Sequence, residues 1–396
     1  MSALAGVRVG AMVLLLIVVA PSSALAQQTV TEILSFLLTN RSIATDDAER
    51  DEQATAATRD AISRFLLLEF ATLPVASSST GFTYRVDREL GGAVVRSSDS
   101  FGPSFVERSL TSGSLTPAFG IAYQEASFDA IDGRPLRDGT LVATASRFQG
   151  DTEPFDVETL SMRLRTRTMT LTASVGLTDR LDVSAALPLV RLALSGVRVD
   201  TLRGTPFVQA TVRADASGVG DVAVRVKYNL IRSGGSGVAL GIETRLPTGA
   251  AENLLGAGEA SFEPRVIGSL ERGPLSVHSQ VGYSVGGLSR ELDYGGAVAV
   301  AAGSRITLIG EVIGRRLDAG GRLDETVVPH PTLSGIETIR LTGVPGATQR
   351  ALAVGSVKWN VAGTWLVTAS VLKSLTSAGL TAGAIPSIGV EYSFGR

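Results

Sequence analysis

The stretch Val222-Ala223-Val224-Arg225-Val226-Lys227-Tyr228-Asn229 decides the fold. It is answered, after a Ser233-Gly234-Gly235-Ser236-Gly237 turn, by Val238-Ala239-Leu240-Gly241-Ile242-Glu243-Thr244-Arg245-Leu246. In both arms apolar residues recur at every second position, which is the period of a β-strand and not of a helix. The glycine-rich turn makes the two arms an antiparallel hairpin. With Gly235 as the centre, Lys227 faces Glu243 and Arg225 faces Arg245, and both apolar sets share one face. The opposite face carries all the charge. Such a division suits a strand pair with lipid on one side and a polar interior on the other. A charged side chain on the lipid side costs about 2–4 kcal/mol at the bilayer midplane.

The same alternation recurs along the chain. Strands are expected near 79–87, 101–109, 114–126, 159–177, 180–194, 218–231, 237–247, 258–270, 274–286, 291–302, 304–315, 348–360, 364–374 and 384–394. The connections alternate in length. Those at 110–113, 178–179, 232–236, 271–273, 303 and 361–363 are tight. Those at 88–100, 127–158, 195–217, 248–257 and 316–347 are long, with 287–290 the short exception. Short turns at one end and long loops at the other are the periplasmic and extracellular ends of an outer-membrane barrel. The expectation is an all-β transmembrane antiparallel up-and-down barrel of about 14 strands, with 12 as the alternative. Within 159–177 the apolar parity changes, from Met162 and Leu164 to Met169, Leu171, Ala173 and Val175. The partner strand changes near Pro188–Val190. Both changes fall about 10 residues from the shared turn, the length a tilted strand needs to cross the hydrocarbon. This hairpin is expected to leave the bilayer there, with or without a bulge.

The chain ends point the same way. Arg8, the apolar run Met12–Ala20 and Ala24-Leu25-Ala26 read as a secretory signal cleaved after Ala26. The run is too short to span a membrane as a helix. The last strand, Pro386 to Phe394, alternates apolar or aromatic residues with small or polar ones. Ser387, Gly389, Tyr392 and Phe394 resemble the C-terminal signal read by the barrel-assembly machinery, with Gly395 and Arg396 as a departure from its usual aromatic end. Trp359 and Trp365 flank a tight turn at the same end, where interfacial aromatics are expected. Mean hydropathy is +0.25. The chain has 44 Gly, no Cys and a net charge of −2, so thiolate metal sites, disulfides and a basic nucleic-acid surface are not supported.

Residues 27–78 do not alternate. Thr31–Leu38 and Asp51–Phe70 read as helices, followed by a break at Pro74 and Ser77–Ser79. They are expected to form a periplasmic cap or a plug entering the lumen from that side, with Phe36, Leu37, Phe65 and Leu66 as plug candidates, and the barrel proper is assigned to 79–396. The polar parity nominates Arg225, Lys227, Glu243, Arg245, Glu263, Arg265, His278, Gln280, Arg305 and Glu311 as lumen-lining residues. They would line a permeation path, fix a plug or brace the wall. His278 and His330 are the two histidines. Without a nucleophile motif such as G-x-S-x-G they suggest no catalytic site, and no cofactor or metal is expected.

Several strings carry a family resemblance: Ser78-Ser79-Thr80-Gly81-Phe82, Phe101-Gly102-Pro103-Ser104-Phe105-Val106-Glu107-Arg108, Phe128-Asp129-Ala130-Ile131-Asp132-Gly133, Gly218-Val219-Gly220-Asp221, Lys227-Tyr228 and Leu246-Pro247-Thr248-Gly249. In this order the chain, over roughly residues 30–396, resembles the outer-membrane transporter family named for the meta-pathway of phenol degradation. That family is related in architecture to long-chain fatty-acid and aromatic-hydrocarbon channels. The resemblance implies passive uptake of small hydrophobic or aromatic compounds, in contact with outer-membrane lipid, and carries over no binding residues. A structural or adhesive barrel is the alternative reading, and a barrel hydrolase a third.

Overall fold

Among the described residues, twelve antiparallel strands close into a barrel. They are β1 (Pro117–Ile131), β2 (Asp156–Gly176), β3 (Leu181–Leu202), β4 (Val222–Ser233), β5 (Ser236–Leu246), β6 (Ser261–Arg272), β7 (Leu275–Gly286), β8 (Glu291–Ala301), β9 (Ile306–Leu317), β10 (Thr348–Ala362), β11 (Trp365–Ser374) and β12 (Ile385–Ser393). Neighbours in the chain pair with each other, and β12 closes on β1 with Val390 opposite Ile121. The computed structural model describes residues 28–39, 59, 62–68, 70, 76–87, 93–330 and 333–394. The expected signal sequence lies outside them.

The count is therefore 12, the alternative, and not 14. The two earliest expected strands are not staves of the barrel. Tyr84–Asp87 pairs with Ala93–Arg96 in a separate two-stranded sheet. Residues 97–112 run across the barrel interior, where their amides bond wall side chains in place of a neighbouring strand. Alternation of Phe, Ser and Val is the same in both settings, so the pattern alone could not separate them.

The β4–β5 register also differs from the expected one. Gly234, at φ +57°, and Gly235 make a two-residue turn, and a bulge follows at Val238/Ala239. Arg225 thus faces Glu243, and Gly241 faces Lys227. The bulge costs one residue of register but brings opposite charges together.

The outer face is apolar around the ring. Ile121, Val226, Ile242, Val266, Val281, Val298, Val312 and Val371 are all exposed, one from each of eight staves. Water-facing surfaces of monomers rarely carry so continuous an apolar patch, and closure leaves no unpaired edge to face lipid. The barrel crosses a membrane with its strands, and no described helix is long and apolar enough to do so. At the tight-turn end Trp365 packs on Tyr392, Tyr392 on Phe394 and Phe394 on Phe119, with ring centroids 4.7, 4.7 and 5.8 Å apart. This cluster spans the β11–β12–β1 seam at interface depth. Gly389 lies between Thr368 and Ala122 in the same seam.

β2 and β3 stay paired without interruption from Asp156↔Leu202 to Gly176↔Asp182. The parity change is thus no bulge. Even-numbered residues of β2 face inward along the whole strand, and what changes is the medium outside. Near the tight turn Met169, Leu171, Ala173 and Val175 face lipid. Beyond it Arg163, Arg165 and Arg167 face water, and Leu160, Met162 and Leu164 fill the inside. A returning strand, Thr205–Val219, continues the sheet beside β3. Leu141–Phe148, Ile336–Val344 and Arg322–Pro329 extend it on the other side of β2. The long loops read from the sequence are therefore largely a second tier of sheet.

That tier holds an apolar core. Helix α1 (Val30–Leu38) opens with a capping box, Thr29 and Glu32, and buries Val30, Leu34, Leu37 and Leu38. Ile62, Phe65, Leu66 and Phe70, from helical residues around 62–68, join Phe128, Leu160, Leu164, Leu192 and Leu194 in one cluster. Leu37 packs so closely on Gly196 of β3 that a Cβ there has no room. The helical segment therefore packs at the long-loop end, away from the tight-turn mouth where it was expected. The reason is chemical: the large contiguous cluster of inward apolar residues lies where the strands have left the bilayer.

Candidate functional site

The lower lumen is crossed by a strap, residues 97–112, held by inward side chains of many staves. Glu311 on β9 accepts three successive amides, from Ser104, Phe105 and Val106, at 2.7, 3.0 and 2.8 Å. Lys358 on β10 donates to the carbonyls of Phe101 (3.3 Å) and Pro103 (2.6 Å). Gln280 on β7 accepts from the Glu107 amide, and Ser269 on β6 from that of Ser109. On β4, Asn229 donates to the Ser109 carbonyl and Lys227 to that of Arg108. Asp182 on β3 receives the Ser112 amide; outside the strap, in the segment that precedes it, the Gly81 amide goes to Glu391 on β12. Buried backbone groups need such partners, and here the wall supplies them.

Beside the strap is a charged ladder. Glu243 receives Arg225 Nε at 2.6 Å, Arg265 Nη2 at 2.9 Å and Arg245 Nε at 2.9 Å. Arg265 also reaches Glu263 at 2.9 Å. From the strap, Glu107 approaches Arg225 (3.9 Å) and Lys227 (3.8 Å), and accepts from Ser78 and Ser79 hydroxyls. Burial works to raise the Glu107 pKa. The Lys227, Arg225 and Arg265 charges and the Ser79 hydrogen bond outweigh it and hold the carboxyl down at about 2.

Nine of the ten nominated lumen residues thus lie in this interior: Arg225, Lys227, Glu243, Arg245, Glu263, Arg265, His278, Gln280 and Glu311. Arg305 is in the β8–β9 turn and exposed, because the strand begins one residue later. His278 is enclosed, with Ser269 Oγ at 2.9 Å from Nδ1 and Ser276 Oγ at 3.1 Å from Nε2, and both serines also bond the strap. Of the plug candidates, Leu37, Phe65 and Leu66 are buried in the upper core while Phe36 is 55 % exposed. The nominated set left out Glu107, Lys358, Asn229, Asp293, Arg315 and Arg350, which also lie in this interior. The last five obey the inward parity of their strands; Glu107 belongs to the strap and has no strand parity to read.

Above the strap, at the long-loop end, lies a cavity of about 170 Å³. Its lining mixes apolar residues, Phe128, Ile313, Leu352, Leu380 and Ile385, with charged ones, Glu243, Arg245, Glu263, Asp293, Arg315 and Arg350. A second cavity of about 50 Å³ shares Asp221 and Arg245 with the first and reaches Phe70 and Phe105. A third, of about 30 Å³, follows Ser77–Thr80 toward Ser184, Arg225 and Glu391. The voids descend beside the strap in separate steps.

The quoted strings turn out to hold this interior. Asp221 accepts the Gly249 and Ala257 amides at 3.0 and 2.7 Å, and Thr248 bonds the Gly220 carbonyl. The loop so fixed carries Asn253, whose Oδ1 accepts the Val30 amide at the start of α1. Asp132, in the left-handed region at φ +51°, accepts from Leu323 at 2.6 Å and thereby ties two upper loops.

The fold and interior define a transmembrane barrel of the outer-membrane kind with a strapped lumen. Residues 139–300 match the family model described as "Putative MetA-pathway of phenol degradation", in agreement with the resemblance carried by the strings. Among solved structures, an outer-membrane channel from Pseudomonas putida F1 aligns at 12 % identity over 72 % of this chain and 97 % of that one, with a TM-score of 0.46. A KdgM porin in complex with oligogalacturonate aligns at 11 % over 70 % and 99 %, TM-score 0.36. The CymD monoaromatic hydrocarbon channel aligns at 8 % over 72 % and 90 %, TM-score 0.27. None of these is near enough to lend its substrate to this chain. No curated protein matches it.

Proposed function

We propose that the protein is an outer-membrane channel for passive, energy-independent uptake of small hydrophobic or aromatic molecules. The observation that carries this reading is the upper cavity with its mixed apolar and charged lining, from which smaller voids descend beside a strap held by hydrogen bonds and ion pairs. An aromatic ring fits against Phe128, Ile313, Leu352 and Leu380. A hydroxyl or carboxylate on that ring finds the arginines and carboxylates that share the lining. Hydrophobic solutes need such a route, because the polar outer leaflet and water-filled pores exclude them. Movement of the strap joins the steps into one path. The family match over 139–300 supports the same reading.

The test is uptake of a radiolabelled aromatic hydrocarbon by cells with and without the protein, beside a hydrophilic sugar. Faster entry of the aromatic alone is expected. Faster sugar entry means a water-filled pore, and no change in either points to a structural or adhesive barrel.

A further inference from the structure

The outward face of β1, β2, β3 and the returning strand changes character between two adjacent rows. Tyr123, Met169, Leu189 and Val219 stand side by side in register. All four are apolar or aromatic and close the lipid-facing belt. The next row away from the tight turns is Glu125, Arg167, Arg191 and Ser217. Above it come Ser127, Arg165, Ala193 and Asp215, and then Arg163, Ser195 and Arg213. Arg167 is nine residues above Gly176, the base of β2, so these rows meet the outer edge of the hydrocarbon.

Arg167 and Arg191 are directly opposed, with Cα atoms about 4.5–5.5 Å apart. Like charges so placed repel. The face carries five guanidiniums: Arg163, Arg165, Arg167, Arg191 and Arg213. Glu125 is shared between Arg165 Nε at 3.5 Å and Arg167 Nε at 3.6 Å, and Asp215 lies 3.4 Å from Arg213 Nε. Among the described residues Arg163 and Arg191 form no ion pair.

We propose that this face is a docking site for the phosphate groups of an acylated, phosphorylated glycolipid of the outer leaflet. Arg165, Arg167 and Arg191 hold the phosphate by paired N–H donors, and the acyl chains lie on Met169, Leu189, Val219 and Tyr123 directly below. The apolar row selects a lipid over a soluble polyanion or an acidic protein, neither of which needs it. The inference rests on the membrane-spanning reading of the barrel and is independent of transport.

The experiment is native mass spectrometry of the whole protein in detergent, titrated with bisphosphorylated lipid A or its dephosphorylated form. The wild type should retain the bisphosphorylated lipid, and Arg167→Gln/Arg191→Gln should weaken it about tenfold or more. Dephosphorylated lipid should bind wild type as weakly as the phosphorylated lipid binds the variant. Arg305→Gln, at the opposite end, should match wild type, and millimolar inorganic phosphate should not displace the lipid. Arg167→Lys/Arg191→Lys, which keeps the charges but not the paired donors, should bind between wild type and the Gln variant, and single Arg191→Gln serves if the double variant loses its heat-modifiable folded band. Equal binding of the two lipids, equal binding by the Gln variant, or displacement by inorganic phosphate would overturn the proposal.

Discussion

Glu311 concentrates the strap's anchorage in one residue. Its two oxygens serve three consecutive amides, and each amide left unsatisfied costs about 1–3 kcal/mol. Glu311→Ala should therefore free the strap near Ser104 and raise single-channel conductance in planar bilayers, with Glu311→Gln between the two. A folded Glu311→Ala barrel with wild-type conductance would exclude the strap as the barrier. Glu107 makes a separate, pH-dependent contribution. Its pKa falls from an ordinary 4.5 to about 2 in the folded protein. The stabilisation, on the order of 3 kcal/mol, is complete above pH 4.5 and is lost as pH falls through 2. The stability gap between wild type and Glu107→Gln, measured by thermal unfolding in detergent, should be constant from pH 8 to 5 and close near pH 2. A gap already gone at pH 5 would contradict this assignment. The inward residues of this network were legible because parity alone assigns a strand residue to one face. Arg305 was misjudged because parity says nothing about where a strand begins.

At the scale of elements, the hairpins of the bilayer zone were readable and those above it were not. Inside the bilayer one face must be apolar and the other polar, so the code is clean. Thr205–Val219, Leu141–Phe148 and Ile336–Val344 have water outside and helices or other loops inside, and their alternation is blurred. They were read as loops for that reason. The β4–β5 register was missed by a two-residue turn centred between Gly234 and Gly235 and by a bulge beyond it, neither of which the residue pattern announces. The upper tier depends on its helices, since Leu37 is fully buried against Gly196. Leu37→Asp removes that packing and buries a charge, a loss of at least about 3 kcal/mol. Limited proteolysis should then cut within 134–148 or 322–344 while the twelve-stranded barrel keeps its heat-modifiable mobility. Protection equal to wild type would show that the tier stands without α1.

For the whole molecule, the excess of two strands in the expected count came from the strap, whose sequence alternates like a stave but bonds across the interior, and from Tyr84–Asp87, which pairs with Ala93–Arg96 in a separate sheet. The strap also has a bearing on size. Its anchors and those of the segment just before it come from β3, β4, β6, β7, β9, β10 and β12, spaced around most of the ring. A hoop in which so many staves grip one central cord has its girth set from within. Adding a stave would pull these side chains off the cord, and losing one would leave the cord no room. The number twelve is thus written as much in the cord as in the turns.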